Sequence, residues 1–533
     1  MHNQAQNLYS YKEHALKHED IHVAKKEIVK SKFKTKFYGL VLGLVSFLLL
    51  KICIIDRVSR RELLSIDHTH IKTNNIFRHL DNFYNIAKKH NNSRSTTNGH
   101  PDVAKYVISA LKKYSFCDIK TQTFKVPIWS ALGPPTLELS SNNGNISFIE
   151  NTDFGYHRYG GSSAAIYNKQ VLHLAHGGCL ITDNIGVSGK IALIEPSSNC
   201  TLFEAAFALE QAGAIGVLIS TSRNAVKPSI ARIRIVDWKE NDPLMTIPVF
   251  SVTYSTFQSI KNTPDAKFTM IAQSEIRVVE TFNTFCESRH GCRNNTIVVG
   301  AHLDSVAFGP GINDNGSGSA SVLEIALKMA KFNYKPRNKI VFAWWGSEED
   351  GLLGSRHFVR DLTLKSKKNL NISPHDLRSN SLDVKLNQIA MNLNFDMLAS
   401  PNFIPFIHNG TDAPSSAQCG SIRIQKSFEQ YFKLVKRNYK ITDMLGGSDF
   451  LPFILNGIPA GGLLTGASEI KTEQERLEFG GMANAALDPC YHKYCDTTSN
   501  INKDALQLMS RGAAYSILKF SGSKNLRSEL AKC

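Results

Sequence analysis

The chain is short of acid. Its 46 Asp and Glu face 62 Lys and Arg, giving a formal charge of +16 at pH 7. Such a balance would suit a nucleic-acid partner, but no recognition motif and no interleaved basic-aromatic run accompanies it. Nucleic acid is set aside as a partner, and the excess reads as a solvated basic surface. Two catalytic signatures are missing as well. No Gly-x-Ser-x-Gly elbow is present, so no Ser-His-Asp reading competes. Gly309, Gly311, Gly316 and Gly318 are not followed by Lys-Ser or Lys-Thr, which excludes a phosphate-binding loop.

Phe37 to Ile55 is an apolar run broken only by Lys51. It matches the roughly 20 residues a membrane span requires, with the lysine near one end where it can snorkel. A cleaved leader has a short basic start and a small-residue cleavage site. Here residues 1–36 precede the run and no such site follows. Lys25, Lys26, Lys30, Lys32, Lys34 and Lys36 outweigh Arg57, Arg60 and Arg61, so the N-terminus is expected in the cytoplasm. The expectation is a cytoplasmic tail (1–36), a signal anchor (37–55), and a catalytic part that is lumenal, as in a vacuole or lysosome, or extracellular. A secreted, cleaved form is the alternative.

With 533 residues, two to four folded units are expected. Among ten cysteines, Cys286 with Cys292 and Cys490 with Cys495 lie close in sequence. A structural zinc would need two more soft ligands than either pair offers, so each is read as a disulfide in an oxidising compartment. Sequons at Asn91, Asn145, Asn199, Asn294, Asn371 and Asn409 suit a glycosylated lumenal chain. Asn315 also begins a sequon, but its place in a candidate metal loop should keep it unmodified.

Apolar runs alternate with helical patterns in the second half of the chain. Thr296–Val299, Lys339–Trp345 and Gln388–Phe395 read as buried strands, with a helix from Gly316 to Ala330 after the first. The implied fold is an α/β/α sandwich with a mixed central sheet. Its first part spans 63–132, including a helix behind Pro101, and its catalytic part spans 281–525. A composition break at Gly133-Pro134-Pro135 opens a different region, 133–280, where His173 and His176 have no carboxylate partner nearby and are read as ordinary histidines.

At the strand ends stand His302, Asp314, Glu348-Glu349 and Asp396, and His492 follows later. Zinc takes imidazole and carboxylate ligands, and a catalytic site leaves one position for water. Paired ions about 3.5–4 Å apart need a carboxylate between them. Asp314 is assigned as that bridge. His302 and Asp396 complete one zinc, and Glu349 and His492 the other. Asp304 is placed behind His302 to fix its tautomer. Glu348 remains free to act as general base, and Tyr491 to donate to a developing oxyanion.

These segments carry a resemblance. Gly300-Ala301-His302-Leu303-Asp304-Ser305 through Gly318, Phe342 to Glu349, Asn394-Phe395-Asp396-Met397 and Asp488-Pro489-Cys490-Tyr491-His492 resemble the metal motifs of the M28 zinc peptidases. The similarity runs over roughly 66–520 and includes Ser93 to Leu111. The subgroup most like this chain is the aminopeptidase Y type, whose inserted protease-associated domain, mainly β, resembles Gly189 to Ser220. The resemblance implies two Zn2+ per chain and removal of N-terminal residues from peptides with a free N-terminus. It also matches Cys490–Cys495 to a family disulfide loop around His492. In one place the chain departs: the family often has Arg-Ser-Asp near the substrate pocket, where this chain has Gly447-Ser448-Asp449. Carboxypeptidase-like or cyclase work on the same fold is the alternative, but cyclase relatives work with a single zinc. A receptor-like ectodomain would be expected to lose ligands, and none is lost.

Overall fold

The computed structural model describes residues 66–533 apart from 143, 180–184, 230–237, 241, 264, 367–381, 383 and 445–446. The tail 1–36, the apolar run 37–55 and the sequon at Asn371 lie outside the described residues. Among the described residues no helix is long and apolar enough to cross a membrane. The chain divides into Met1–Ile66 and Asp67–Cys533, and every element named here belongs to the second unit.

Strand β1 (Cys117–Ala131) opens a first sheet. A second sheet is then laid down by β2 (Thr136–Ser141), β3 (Gly144–Ser147), β4 (Phe154–Tyr156), β5 (Ser163–Leu174), β6 (Ile191–Ile194), β7 (Gly216–Ser220), β8 (Val249–Val252) and β9 (Lys267–Ala272). The chain returns to the first sheet with β10 (Ser274–Ser288), β11 (Cys292–His302), β12 (Asn338–Trp345) and β13 (Ile389–Phe395). It finishes that sheet with β14 (Phe406–His408), β15 (Lys440–Thr442) and β16 (Ala460–Leu464). The first sheet has the order β1-β10-β12-β11-β13-β16-β14-β15 and the second β3-β2-β9-β5-β6-β7-β8-β4. Residues 274–280, placed in the inserted region by composition, in fact pair with β1 in the first sheet.

The centre of the first sheet is parallel. β11 runs parallel to β12 and β13, and β13 to β16. Central strands covered on both faces need continuous apolar runs, and every residue of β12 and β13 is buried. The two tryptophans of β12 serve opposite faces. Trp344 donates its indole N–H to the Ser319 carbonyl of the helix Gly318–Lys331 at 3.1 Å. Trp345 packs on Phe358 of the helix Leu353–Ser366 and on Phe453. Helices therefore cover both faces. The helix His100–Leu111, with proline in its first turn, buries Val103, Val107 and Leu111.

The second sheet carries the helices Leu202–Gln211 and Tyr254–Lys261 and encloses apolar clusters of its own, around Phe154, Phe250 and Phe268 and around Leu209 and Val217. His173 lies with its ring edge-on to Phe257. Tyr159 crosses to the first sheet, buried with Phe124, Val126, Ile128 and Leu353.

The pairing expected between Cys286 and Cys292 does not form. Cys286 is bonded to Cys117, and Cys292 is free and exposed. The sheet order explains this. Cys286 lies on β10 and Cys292 opens β11, with β12 between them. Two strand spacings amount to about 9.6 Å, beyond the roughly 7 Å that a disulfide spans between Cα atoms. Cys490 is bonded to Cys495, Cys179 to Cys200 and Cys419 to Cys533. The sequon residues Asn91, Asn145, Asn199 and Asn294 are exposed; Asn409 is half-buried, its amide donating to Asp412.

Candidate metal centre

Parallel strands end at one edge of the sheet, and the side chains beyond those ends converge. β11 ends on His302, β12 leads through Gly346-Ser347 to Glu348 and Glu349, and β13 leads to Asp396. Asp314 comes from the loop ahead of the helix Gly318–Lys331, and His492 from the loop closed by Cys490–Cys495. These turns are sharp. Ser347, Met397 and His492, each beside or at a candidate ligand, have φ of 58°, 55° and 58°. Left-handed backbone at residues other than glycine persists where surrounding structure imposes it, and it gathers at functional sites.

His302 Nε2 lies 3.3 Å from Asp314 Oδ1 and 3.3 Å from Asp396 Oδ1. His492 Nε2 lies 3.1 Å from Asp314 Oδ2 and 3.1 Å from Glu349 Oε2. The two oxygens of Asp314 thus face different histidines. Neighbouring ligands on a tetrahedral ion with bonds of about 2.0–2.1 Å stand about 3.3–3.4 Å apart. The donor set of imidazole and carboxylate, at these spacings, fits zinc. Glu348 Oε2 is further back, 4.0 Å from His302 Nε2.

Asp304 acts on both ligand turns. Its main-chain oxygen is 3.2 Å from His302 Nδ1, whereas its carboxylate is 3.8 Å away. That carboxylate accepts instead from the main-chain N–H groups of Glu348 at 3.1 Å and Glu349 at 3.2 Å. The tautomer of His302 is therefore set through the Asp304 peptide, and the Glu348-Glu349 turn through its side chain. Asp396 is held by Ser448, whose hydroxyl donates to Oδ2 at 2.6 Å and accepts from Asn394 at 2.8 Å.

Charge is crowded here. Burial lifts Asp304 to about 8, with Asp350 and Glu349 adding to it against the pull of His302. Burial and the carboxylates of Asp449, Glu349 and Asp396 hold Glu348 well above its ordinary value. Burial would lower both histidines, but the carboxylates outweigh it: His302 lies well above its usual range and His492 is raised to about 10. Burial would likewise raise Asp314, yet hydrogen bonds from His302 and His492 leave it well below. A buried set of acids that retain protons at each other's expense is a site suited to cations. Tyr491 stacks on the ring of His492 with centroids 3.7 Å apart.

Gly447 has φ of 94°, and a Cβ there would meet nothing within 4 Å. An arginine at this point would have room but not a comfortable backbone. Arg94, Asp496, Ser448 and Asn500, none of which has a role by sequence pattern, all hold ligand-bearing segments. Arg94 and Asp496 act mainly on main-chain atoms, which leave no mark on residue type, and Ser448 and Asn500 bond to side chains that lie far off in sequence or are themselves read as ordinary.

A mixed α/β sheet with a parallel centre, and imidazole and carboxylate groups gathered at its strand ends, is the architecture of a metal-binding enzyme. A family model described as Peptidase family M28 matches residues 283–517, which hold every candidate ligand. An aminopeptidase of Pseudomonas aeruginosa (strain UCBPP-PA14) is 34% identical over 457 residues, covering 84% of this chain and 80% of its own length. Leucine aminopeptidase 2 of Arthroderma otae is 31% identical over 428 residues, with 80% and 79% covered. The chain belongs to peptidase family M28. In fold it is similar to an aminopeptidase from Aneurinibacillus sp. strain AM-1, with a TM-score of 0.60 at 17% identity over 84% of this chain and 93% of that one. A zinc aminopeptidase from Bacillus subtilis gives a TM-score of 0.50 at 20% identity, over 84% and 95%.

Proposed function

We propose that this chain is a two-zinc aminopeptidase that hydrolyses the first peptide bond of substrates with a free N-terminus. One observation carries the two-metal reading: Asp314 directs Oδ1 to His302 at 3.3 Å and Oδ2 to His492 at 3.1 Å. Asp314 would serve as the bridge, His302 and Asp396 would hold one zinc, and Glu349 and His492 the other. Bound there, zinc would polarise the scissile carbonyl and make water a nucleophile at neutral pH. Glu348, set back from the ligand atoms, takes the proton of the attacking water and passes it to the leaving amine nitrogen. Burial and the surrounding carboxylates hold the Tyr491 phenol far above its ordinary value. A phenol carries its proton at neutral pH in any case, and Tyr491, beside the ligand His492, donates its O–H to the oxyanion that develops on the substrate. The two relatives named aminopeptidase support the choice of aminopeptidase over carboxypeptidase or cyclase work.

The second sheet, with its own core, is read as the protease-associated domain of the family. The run 37–55 is read as a signal anchor that leaves Asp67–Cys533 in a lumenal or extracellular space. Four disulfides among the described residues favour such an oxidising compartment.

The substrate reading is tested with a panel of aminoacyl amides, free peptides and N-blocked peptides offered to the zinc-loaded protein. Hydrolysis confined to free amines is expected. Release of C-terminal residues, or equal cleavage of blocked peptides, would overturn it.

A further inference from the structure

The peptide that carries Asp314 is gripped from two sides by buried groups of opposite charge. On the carbonyl side stands Arg94, fully buried. Its guanidinium donates to the main-chain oxygens of Pro310 at 2.7 Å and Asp314 at 3.3 Å, and also to those of Leu303 and Gly311. Its own main-chain N–H donates to Ser305 Oγ at 2.9 Å. On the amide side stands Asp496, also buried. Its Oδ1 accepts from the N–H of Asn313 at 2.9 Å and its Oδ2 from the N–H of Asp314 at 3.0 Å. Asn500 steadies the carboxylate by donating to Oδ1 at 3.0 Å.

Burying an arginine is costly, and the usual compensation is a carboxylate at hydrogen-bond distance. Arg94 directs its guanidinium to carbonyls instead, and those carbonyls come from two segments only: the turn after His302 and the loop up to Asp314. A planar fork of five donors fixes two such segments relative to one another, which a single ammonium does not do. Asp496 supplies the complementary hold on the N–H groups, and it follows Cys495 of the loop that bears His492. The ligand atoms most in need of registration are the two oxygens of Asp314, because they must serve two partners at once.

We propose that Arg94 and Asp496 are positioning residues that together set the Asp314 peptide so that its carboxylate divides between His302 and His492. This rests on the two-zinc reading above. Removal of outer partners of this kind costs about 10–100-fold in metal affinity, and because the carboxylate is shared, both ions weaken together.

The test uses the full chain with Arg94→Lys, which keeps the charge but not the fork, and Asp496→Asn, which keeps the shape but not the charge. Zinc affinity is measured by competition with a chelator, and Tm with and without zinc. Each folded variant should bind both zincs about 10–100-fold more weakly, with the larger loss of Tm in the presence of zinc. Wild-type zinc affinity in either folded variant would overturn the proposal. So would equal Tm losses with and without zinc, since that is the mark of a purely structural role. Failure of both variants to fold also counts against it, because the pair would then be holding the fold. Fewer than two zincs on the wild-type chain would sink the two-zinc reading itself, so the two failures are told apart.

Discussion

Glu348 and Glu349 leave the same turn, yet they reach different partners. Glu349 Oε2 stands 3.1 Å from His492 Nε2, at ligand spacing, whereas Glu348 Oε2 stops 4.0 Å from His302 Nε2. Their replacement should look different. Glu348→Gln keeps the shape and every ligand, so zinc content should stay normal while turnover falls by about 10²–10⁴-fold. Glu349→Gln should lower zinc affinity, and added zinc should restore part of the activity. Metal analysis beside steady-state rates separates the two. Loss of metal from Glu348→Gln alone would exchange the roles, and near-normal turnover would remove Glu348 from the chemistry. At this scale the site was legible where chemistry restricts residue type: imidazoles and carboxylates at strand ends admit few other readings. Arg94 was not legible, because its guanidinium is bonded to carbonyls and any sequence supplies those. Asp304 was legible as a group behind His302, but its carboxylate turned out to hold the neighbouring glutamate turn.

The loop that carries His492 shows what an element adds. Cys490 and Cys495 close it, His492 sits inside with φ of 58°, and Asp488 accepts from the N–H of Cys490 at 2.9 Å. A ligand on unfavourable backbone needs such closure to stay in place. Replacing both cysteines by serine should loosen His492 most among the ligands, because Asp496 beyond the loop stays tied to Asn500 and to the Asp314 peptide. Zinc held by Glu349 and His492 should then be lost first, at least about 10-fold more readily, while the other ion stays. Equilibrium dialysis should show one tight and one weakened site. Two sites unchanged from wild type would show that the loop holds its shape without the bond. Strands and helices around the site could be read from runs such as Lys339–Trp345, because buried parallel strands leave unbroken apolar stretches. Sheet order could not. Nothing local in Cys286 and Cys292 shows that β12 passes between their strands, and nothing in the composition near 280 shows that β10 begins at Ser274.

For the whole molecule, the question is where the catalytic unit sits relative to a membrane. If 37–55 is a signal anchor, protease added to sealed microsomes should remove an N-terminal tag and spare the catalytic part. The mature protein should also resist carbonate extraction. A soluble mature chain starting beyond Ile55 would favour a cleaved leader. The lysines ahead of the run are what the expected direction rests on, since charge on one flank sets orientation. The compartment beyond is not legible, because sorting is decided by receptors that read short signals.

The chain enters and leaves the second sheet side by side. Ala131 pairs with Ser274 at the close of the β1–β10 ribbon, and the Leu132 N–H donates to the Gln273 carbonyl at 2.8 Å. The ribbon is continuous from Cys117 opposite Ser288 up to that point. A short hairpin turn could therefore join its strands without moving either. The inserted unit is a graft with one stem, and the catalytic sheet does not depend on it for connectivity. What the graft does provide is cover. Tyr159 donates its hydroxyl to the Asp350 carbonyl at 3.1 Å, one residue beyond Glu349. Trimming the graft would leave chain topology intact and would bare the back of the glutamate turn to water.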